Sequence, residues 1–470
     1  MKRLVAIIFV FCALSGFAQK YTVTDLGTLG GSFAFAIGIN DSGEVVGYSA
    51  FANPPPGYGY SSHAFLYSNG TMTDLGTLGG ASSYAEGING SGEVVGSSYI
   101  LTGNIFGDLN SHAFLYSNGM MKDLGTLGSP YDDLSDSFAQ AINASGQVVG
   151  GSNLPGDIRN YTSHAFLYSN GTMTDLGTLG GTSSYANGIN DSGQVVGVSS
   201  LPGDSAYHAF LYNNGAMKDL GTLGASTSSA YGINDSGQVV GASGLPGNSG
   251  SHTFLYSNGT MTDLGTLGGC CSEGYGINAS GEVVGRASIS GYPAWVTVAF
   301  LYISSKGMTD LNTLIPTGSG WTLYSAQAIN DKGQIAALGL INGSQHAFLL
   351  TPITPYKAFI QQPIKPDGSS VFKANRGVIP VKFTLTKDNL PTCDLPPATI
   401  PLTRTAGGTL GLLNLSKYAM PADDGANFRI DPTDCQYIYN LAASNVGAGV
   451  YRVDISIDGN VVGNAVFTLN

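Results

Sequence analysis

Residues 36–80 read AIGINDSGEVVGYSAFANPPPGYGYSSHAFLYSNGTMTDLGTLGG, and four of their words recur along the chain. HAFLY opens at His63, His112, His164 and His208, becomes HTFLY at His252 and HAFLL at His346, and reads VAFLY where Val298 takes the histidine slot. DLG opens at Asp25, Asp74, Asp123, Asp175, Asp219 and Asp263, and becomes DLN at Asp310. GIN or AIN closes on Asn40, Asn89, Asn143, Asn190, Asn234, Asn278 and Asn330. A Ser-Gly or Lys-Gly pair with Glu or Gln and small apolar residues follows. All six histidines belong to these words. A histidine repeated in nearly every copy is a poor candidate for a unique catalyst. It reads better as one hydrogen bond per copy, His to Asp or to nearby backbone.

One copy gives four strands. AIGIN is a short strand, Asn40-Asp41-Ser42-Gly43 a turn, and 44–49 a valine-rich strand. A variable loop leads to HAFLYS, Asn69-Gly70 makes a two-residue hairpin, and TMTDLG is the fourth strand. His63, Phe65 and Tyr67 alternate with Ala64 and Leu66, so the third strand is apolar on both faces and needs cover on both. Sheets stacked as blades around an axis give that cover. Four strands every 44–52 residues predict an all-β propeller rather than a β-helix. The ends fit together. YTVTDLG, from Tyr21, is a fourth strand with no preceding three, while the last AIN, GQIAALG and HAFLL lack a fourth. Joining them predicts a seven-bladed β-propeller of four antiparallel strands per blade, closed by the N-terminal strand and left without exposed edges.

The phrases HAFLYSNG, MTDLGTLGG and GINxSGxVVG resemble the HAF repeats of extracellular bacterial proteins, over residues 21–350. The resemblance implies export and repetition, and carries no catalytic residue with it. Val298, Asn312, Lys332 and Leu350 depart from the pattern.

Residues 1–18 are expected to be a secretory signal peptide. Lys2 and Arg3 precede an apolar run, and Gly16-Phe17-Ala18 offers small residues for cleavage near Ala18. The protein is therefore expected to be secreted, extracellular or on the cell surface. No later segment is apolar enough for a membrane span. Residues 19–350 form the repeat domain, 351–355 a linker reading TPITP, and 356–470 a second domain. There Tyr451, Val453, Ile455 and Ile457 alternate with polar residues, a half-buried antiparallel pattern that suggests an Ig-like β-sandwich. Cys393 and Cys435 are expected to pair, which would contribute ~4 kcal/mol by loop entropy. Adjacent Cys270 and Cys271 fit no zinc spacing; a vicinal disulfide and two free or externally bridged thiols remain open readings. Residues 19–355 hold 7 Lys/Arg against 22 Asp/Glu, which excludes a nucleic-acid partner.

Function is expected where copies differ. The loops from second to third strand and the linkers from fourth to first share one face, and the loops carry Phe51, Tyr58, Tyr60, Tyr99, Phe106, Tyr161, Tyr207, Tyr292 and Trp295. Exposed aromatics stack on sugars or anchor protein partners; the bland alternative is that they cap blade ends. Asp132, Asp133 and Asp136 form a carboxylate cluster of one copy, with oxygen chemistry suited to calcium but not the spacing of an EF-hand loop; a solvated loop is the competing reading. No other cofactor is indicated. The turn acids Glu44, Glu93 and Glu282 become Gln147, Gln194, Gln238 and Gln334, so no charge is required there. The expected function is that of a secreted, non-catalytic binding or adhesion protein for an extracellular carbohydrate or protein. The alternatives are a polysaccharide-active enzyme, with Glu86, Asp108, Asp157, Asp204 and Glu273 as unrepeated acids, or a purely structural surface component. Oligomeric state is not legible.

Overall fold

A computed structural model describes residues 20–52, 61–101, 110–128, 135–154, 162–248, 250–293, 296–353, 356–365, 367–373, 378–387, 390–393, 398–406, 411–413, 429–431, 434–442, 446–457 and 460–470. The signal segment and Tyr58, Tyr60, Phe106, Asp108, Asp132, Asp133, Asp157, Tyr161 and Trp295 lie outside the described residues.

The repeats form seven four-stranded antiparallel sheets, six of them simple meanders. The first runs Gly30–Ile39, Val45–Phe51, Ser62–Ser68, Thr71–Asp74. Asn69 and Gly70 turn its last hairpin with φ of 51° and 82°, the positive values that a tight hairpin turn demands. The remaining sheet is built from both ends of the domain. Lys20–Gly27 pairs with Ser344–Ile353, which continues to Ile335–Ile341 and Trp321–Ile329. Its register sets Tyr21 opposite Pro352, Val23 opposite Leu350 and Asp25 opposite Phe348. Sheets repeated in this way around a central channel make a β-propeller.

The alternation of the HAF word explains how sheets stack. Its phenylalanines, Phe65, Phe114, Phe166, Phe210, Phe254, Phe300 and Phe348, are all 0% exposed. Each sits in a core shared with a neighbouring copy. Phe114 packs with Ala64, Phe166 with Ala113, and Phe210 with Ala165. Phe65 packs with Ala347, which joins the first full sheet to the closing one. A large ring from one copy fills the space that a small residue leaves on the other, so both faces of every third strand are used.

A second clip recurs between sheets. The Ser83 Oγ accepts the Ala64 amide of the preceding copy at 2.9 Å and donates to the Gly76 carbonyl at 2.5 Å. Ser137, Ser184, Ser228 and Ser272 repeat both bonds.

The six histidines bond the DLG aspartates. Nδ1 of His63, His112, His164, His208, His252 and His346 lies 2.8–2.9 Å from Asp74, Asp123, Asp175, Asp219, Asp263 and Asp25. Each aspartate also accepts the amide of the glycine two residues on, as Asp123 does from Gly125 at 2.7 Å. Where Val298 replaces histidine, Asp310 accepts both the amide and the side-chain Nδ2 of Asn312 at 2.8 Å. Burial pushes the Asp123 carboxyl up, but bonds from His112 and Gly125 and the His112 charge outweigh it, leaving it below its ordinary value. A lowered carboxyl adds stability above its ordinary pKa and loses it as pH falls through the lowered value. His112→Ala is therefore expected to cost about 1–2 kcal/mol near pH 7, less than a buried charged bond because Asp123 is half-exposed. The cost should shrink below pH ~4. Thermal melts across pH check this, and an unchanged melting temperature would remove the structural role.

Residues 356–470 form a five-stranded and a six-stranded sheet around one core. Val381, Phe383 and Tyr439 come from one sheet, and Tyr451, Val453, Ile455 and Phe467 from the other. Cys393 and Cys435 form a disulfide. Cys270 and Cys271 are free thiols, Cys270 exposed. No helix among the described residues is long and apolar enough to cross a membrane.

Candidate functional site

The GIN asparagines meet around the axis. Asn40, Asn89, Asn143, Asn190, Asn234, Asn278 and Asn330 are all buried. Each Nδ2 donates to the backbone carbonyl of the asparagine in the next copy: Asn40 to Asn89 at 3.1 Å, and so on round to Asn330, which donates to Asn40 at 2.9 Å. The same Nδ2 donates to a Glu or Gln oxygen four residues later, as Asn40 does to Glu44 and Asn143 to Gln147, both at 2.8 Å. Each Oδ1 accepts the amide of that Glu or Gln. Only an amide of this length supplies two donors and an acceptor there. The Glu/Gln alternation follows, because the partner need only offer an oxygen.

A cavity of about 320 Å³ opens at this ring. Seven isoleucines, the seven asparagines and the first turn residues line it, among them Asp41, Asp191, Asp235 and Asp331. Those carboxylates are engaged. Asp191 accepts the Ala144 amide, Asp235 that of Asp191, Asp331 that of Ala279 and Asp41 that of Asp331, at 2.8–3.0 Å. The cavity lies at the face of the uniform turns, opposite the loops that the sequence singles out.

Deeper in, the innermost strands break register at the same place in every copy, and four copies break it a second time. The extra residues are Ile37, Glu86, Gln140, Asn187, Tyr231, Tyr275 and Gln327, each between constant small neighbours. A bulge of this kind re-aims one residue and leaves it out of the ladder. On one side Glu273 is bound to Arg286 at 2.9 Å and accepts the Tyr275 hydroxyl, while Arg286 lies over the Tyr275 ring and Tyr231 meets that ring edge-on at 5.5 Å. Burial, then the bond to Glu273, pushes the Tyr275 hydroxyl up. On the other side Phe35 stacks on Tyr48 at 4.7 Å and Tyr48 meets Tyr84 edge-on at 5.0 Å. Burial alone pushes the Glu86 carboxyl up to about 7. Burial, then the charge of Glu86, pushes Tyr48 up to about 12.

A raised carboxyl carries no penalty below its ordinary pKa and a growing one as pH rises through about 7. Glu86→Gln is therefore expected to stabilise the protein by about 1–3 kcal/mol at pH 9 and by nothing near pH 4. Paired melts at the two pH values check it; equal shifts would mean the carboxyl is not desolvated.

The loop residues come together less than expected. Tyr207 and Tyr292 are exposed, at 45% and 62%, Tyr207 at the start of a third strand and Tyr292 in the loop of a different copy. Tyr99 is half-buried and backs onto Gly80. Phe51 lies over the His63 ring at 4.5 Å, so it caps a blade end. Asp136 accepts the Ser111 amide at 2.8 Å. Its side chain is therefore committed to holding a strand end, and among the described residues no group of three or more His, Cys, Asp or Glu could hold a metal. Asp204 caps Thr182 at 2.8 and 3.0 Å. Of the bulge residues only Glu86 was named from sequence, as an unrepeated acid; the other six were missed. Their signal is a variable position inside an otherwise constant strand word.

No family model and no curated protein matches the chain. Among solved structures it is similar to the β-propeller domain of the Trilobed protease from Pyrococcus furiosus, with 11% identity and a TM-score of 0.32 over 60% of this chain and 96% of that one. It is also similar to TolB from Acinetobacter baumannii, with 12% identity and a TM-score of 0.32 over 66% and 80%. A third is the acylaminoacyl peptidase of Pyrococcus horikoshii, with 9% identity and a TM-score of 0.40 over 75% and 57%.

Proposed function

We propose that the chain is an exported HAF-repeat protein, a seven-bladed propeller with an Ig-like tail, and that it is a non-catalytic binding protein for an extracellular carbohydrate. One observation carries this. Seven copies that share their repeat words differ at the bulge of the innermost strand, where five residue types occupy seven positions. A position that served only the fold would repeat as the asparagine three residues later does. Tyrosine rings with Gln, Asn and Glu side chains offer stacking faces and hydrogen bonds together, the chemistry a sugar needs. The variable loops at the other mouth extend the surface and would hold a protein partner.

The enzyme reading needs two carboxylates acting together. Glu86 is shifted by burial alone and Glu273 is held by Arg286, so the two are not coupled. A glycan array on the purified protein, with and without calcium, is expected to show retention of a restricted set of glycans without their cleavage. Tyr231→Ala with Gln140→Ala should abolish it. Retention unchanged by those substitutions, or hydrolysis of the retained glycan, would overturn the reading.

A further inference from the structure

We propose that Phe35, Tyr48, Tyr84 and Glu86 form a channel site for an organic ammonium ion, an amine or quaternary ammonium group with small apolar substituents. The site shares Glu86 with the variable bulge positions but does not rest on the carbohydrate reading.

Three rings run in continuous contact, Phe35 to Tyr48 at 4.7 Å and Tyr48 to Tyr84 at 5.0 Å, with Phe33 edge-on to Phe35 at 5.7 Å. Phe35, Tyr48, Tyr84 and Glu86 are each half-buried rather than sealed in the core. Aromatic faces attract cations, most strongly when the cation is weakly hydrated, and alkylammonium ions are. Glu86 supplies the counter-charge. Among the described residues no side chain bonds its carboxylate, whereas the Glu273 carboxylate, two residues before the bulge of its own copy, is satisfied by Arg286 and Tyr275. The chain offers Glu86 no cation nearby in sequence either, because residues 21–121 contain no Lys or Arg. The titratable groups within electrostatic reach of Tyr48 are Glu86, Tyr84 of the same strand and Tyr324 of the closing sheet, and all are anionic or neutral. A carboxylate that is largely desolvated and has no partner is costly in its charged form. A bound cation restores its partner and draws the carboxyl into its charged form, releasing a proton.

Calorimetric titration of the full protein with tetramethylammonium and butylammonium, against the neutral isostere 3,3-dimethylbutanol, tests this. Both cations are expected to bind with proton release, the alcohol not to bind. Glu86→Gln and Tyr48→Ala should each weaken binding by about tenfold or more, while Tyr48→Phe, which keeps the ring, should retain it. Glu86→Gln is isosteric, so a folded variant is expected, and its melt verifies that. No binding by the wild type, equal binding of the alcohol, or full binding by folded Glu86→Gln would each overturn the proposal. Absence of glycan retention in a wild-type protein that binds ammonium would count against the carbohydrate reading alone.

Discussion

Deletion of residues 20–27 is expected to leave no monomeric, cooperatively folded repeat domain. That strand buries Tyr21 and Leu26, 0% and 5% exposed. Each contributes about 1.5–3 kcal/mol. The strand also supplies Asp25 to His346 at 2.9 Å and the whole ladder opposite residues 347–353. Together these approach the 5–15 kcal/mol that holds a typical domain. The loss also uncovers the edge of Ser344–Ile353, an apolar strand ready to pair with another chain. Light scattering after size exclusion should show oligomers or aggregate. A monomer with a native melt would show that the strand is an accessory.

Asn40→Asp is expected to cost about 3 kcal/mol or more, and Asn190→Asp only about 1–2 kcal/mol. Both substitutions keep the oxygen that caps the turn and remove the Nδ2 donors. At position 40 the lost donor faced Glu44 at 2.8 Å, so two carboxylates meet in a buried place and one must take a proton. At position 190 the partner is Gln194, whose side-chain amide can turn and donate to the new carboxylate. What is lost there is the bond to the Asn234 carbonyl. The ordering also reverses the usual expectation that seven equivalent positions respond equally. Thermal melts of the two variants at pH 7 decide it. Equal losses would mean that the ring bond to the next copy dominates and the Glu/Gln partner is incidental.

The repeat words made the sheets, the His–Asp pairs and the joined termini legible, because each is a contact within a copy or a count of missing strands. The asparagine ring was less legible. Asn40 recurs as a word, but its partner in the next copy is the carbonyl of Asn89, 49 residues on, and no spacing rule reaches that far. The Glu/Gln exchange was visible as indifference to charge, and the structure adds the reason. The channel site stayed hidden for a different reason. Alternation predicts the sides of a regular strand, and a bulge at Glu86 breaks the alternation where it matters. Loop aromatics read as contact residues because exposed aromatics carry contact energy, yet Phe51 packs on His63.

Closure of the ring by the chain's two ends is the claim on which the channel, its asparagine ring and its site depend. Thr22 and Thr351 are opposite one another across that seam. In a Cys270→Ser, Cys271→Ser background, Thr22→Cys with Thr351→Cys should oxidise to a link within one chain, found in the monomer by peptide mapping. The link should raise the melting temperature until it is reduced. Free thiols at both positions, or links only between chains, would contradict closure.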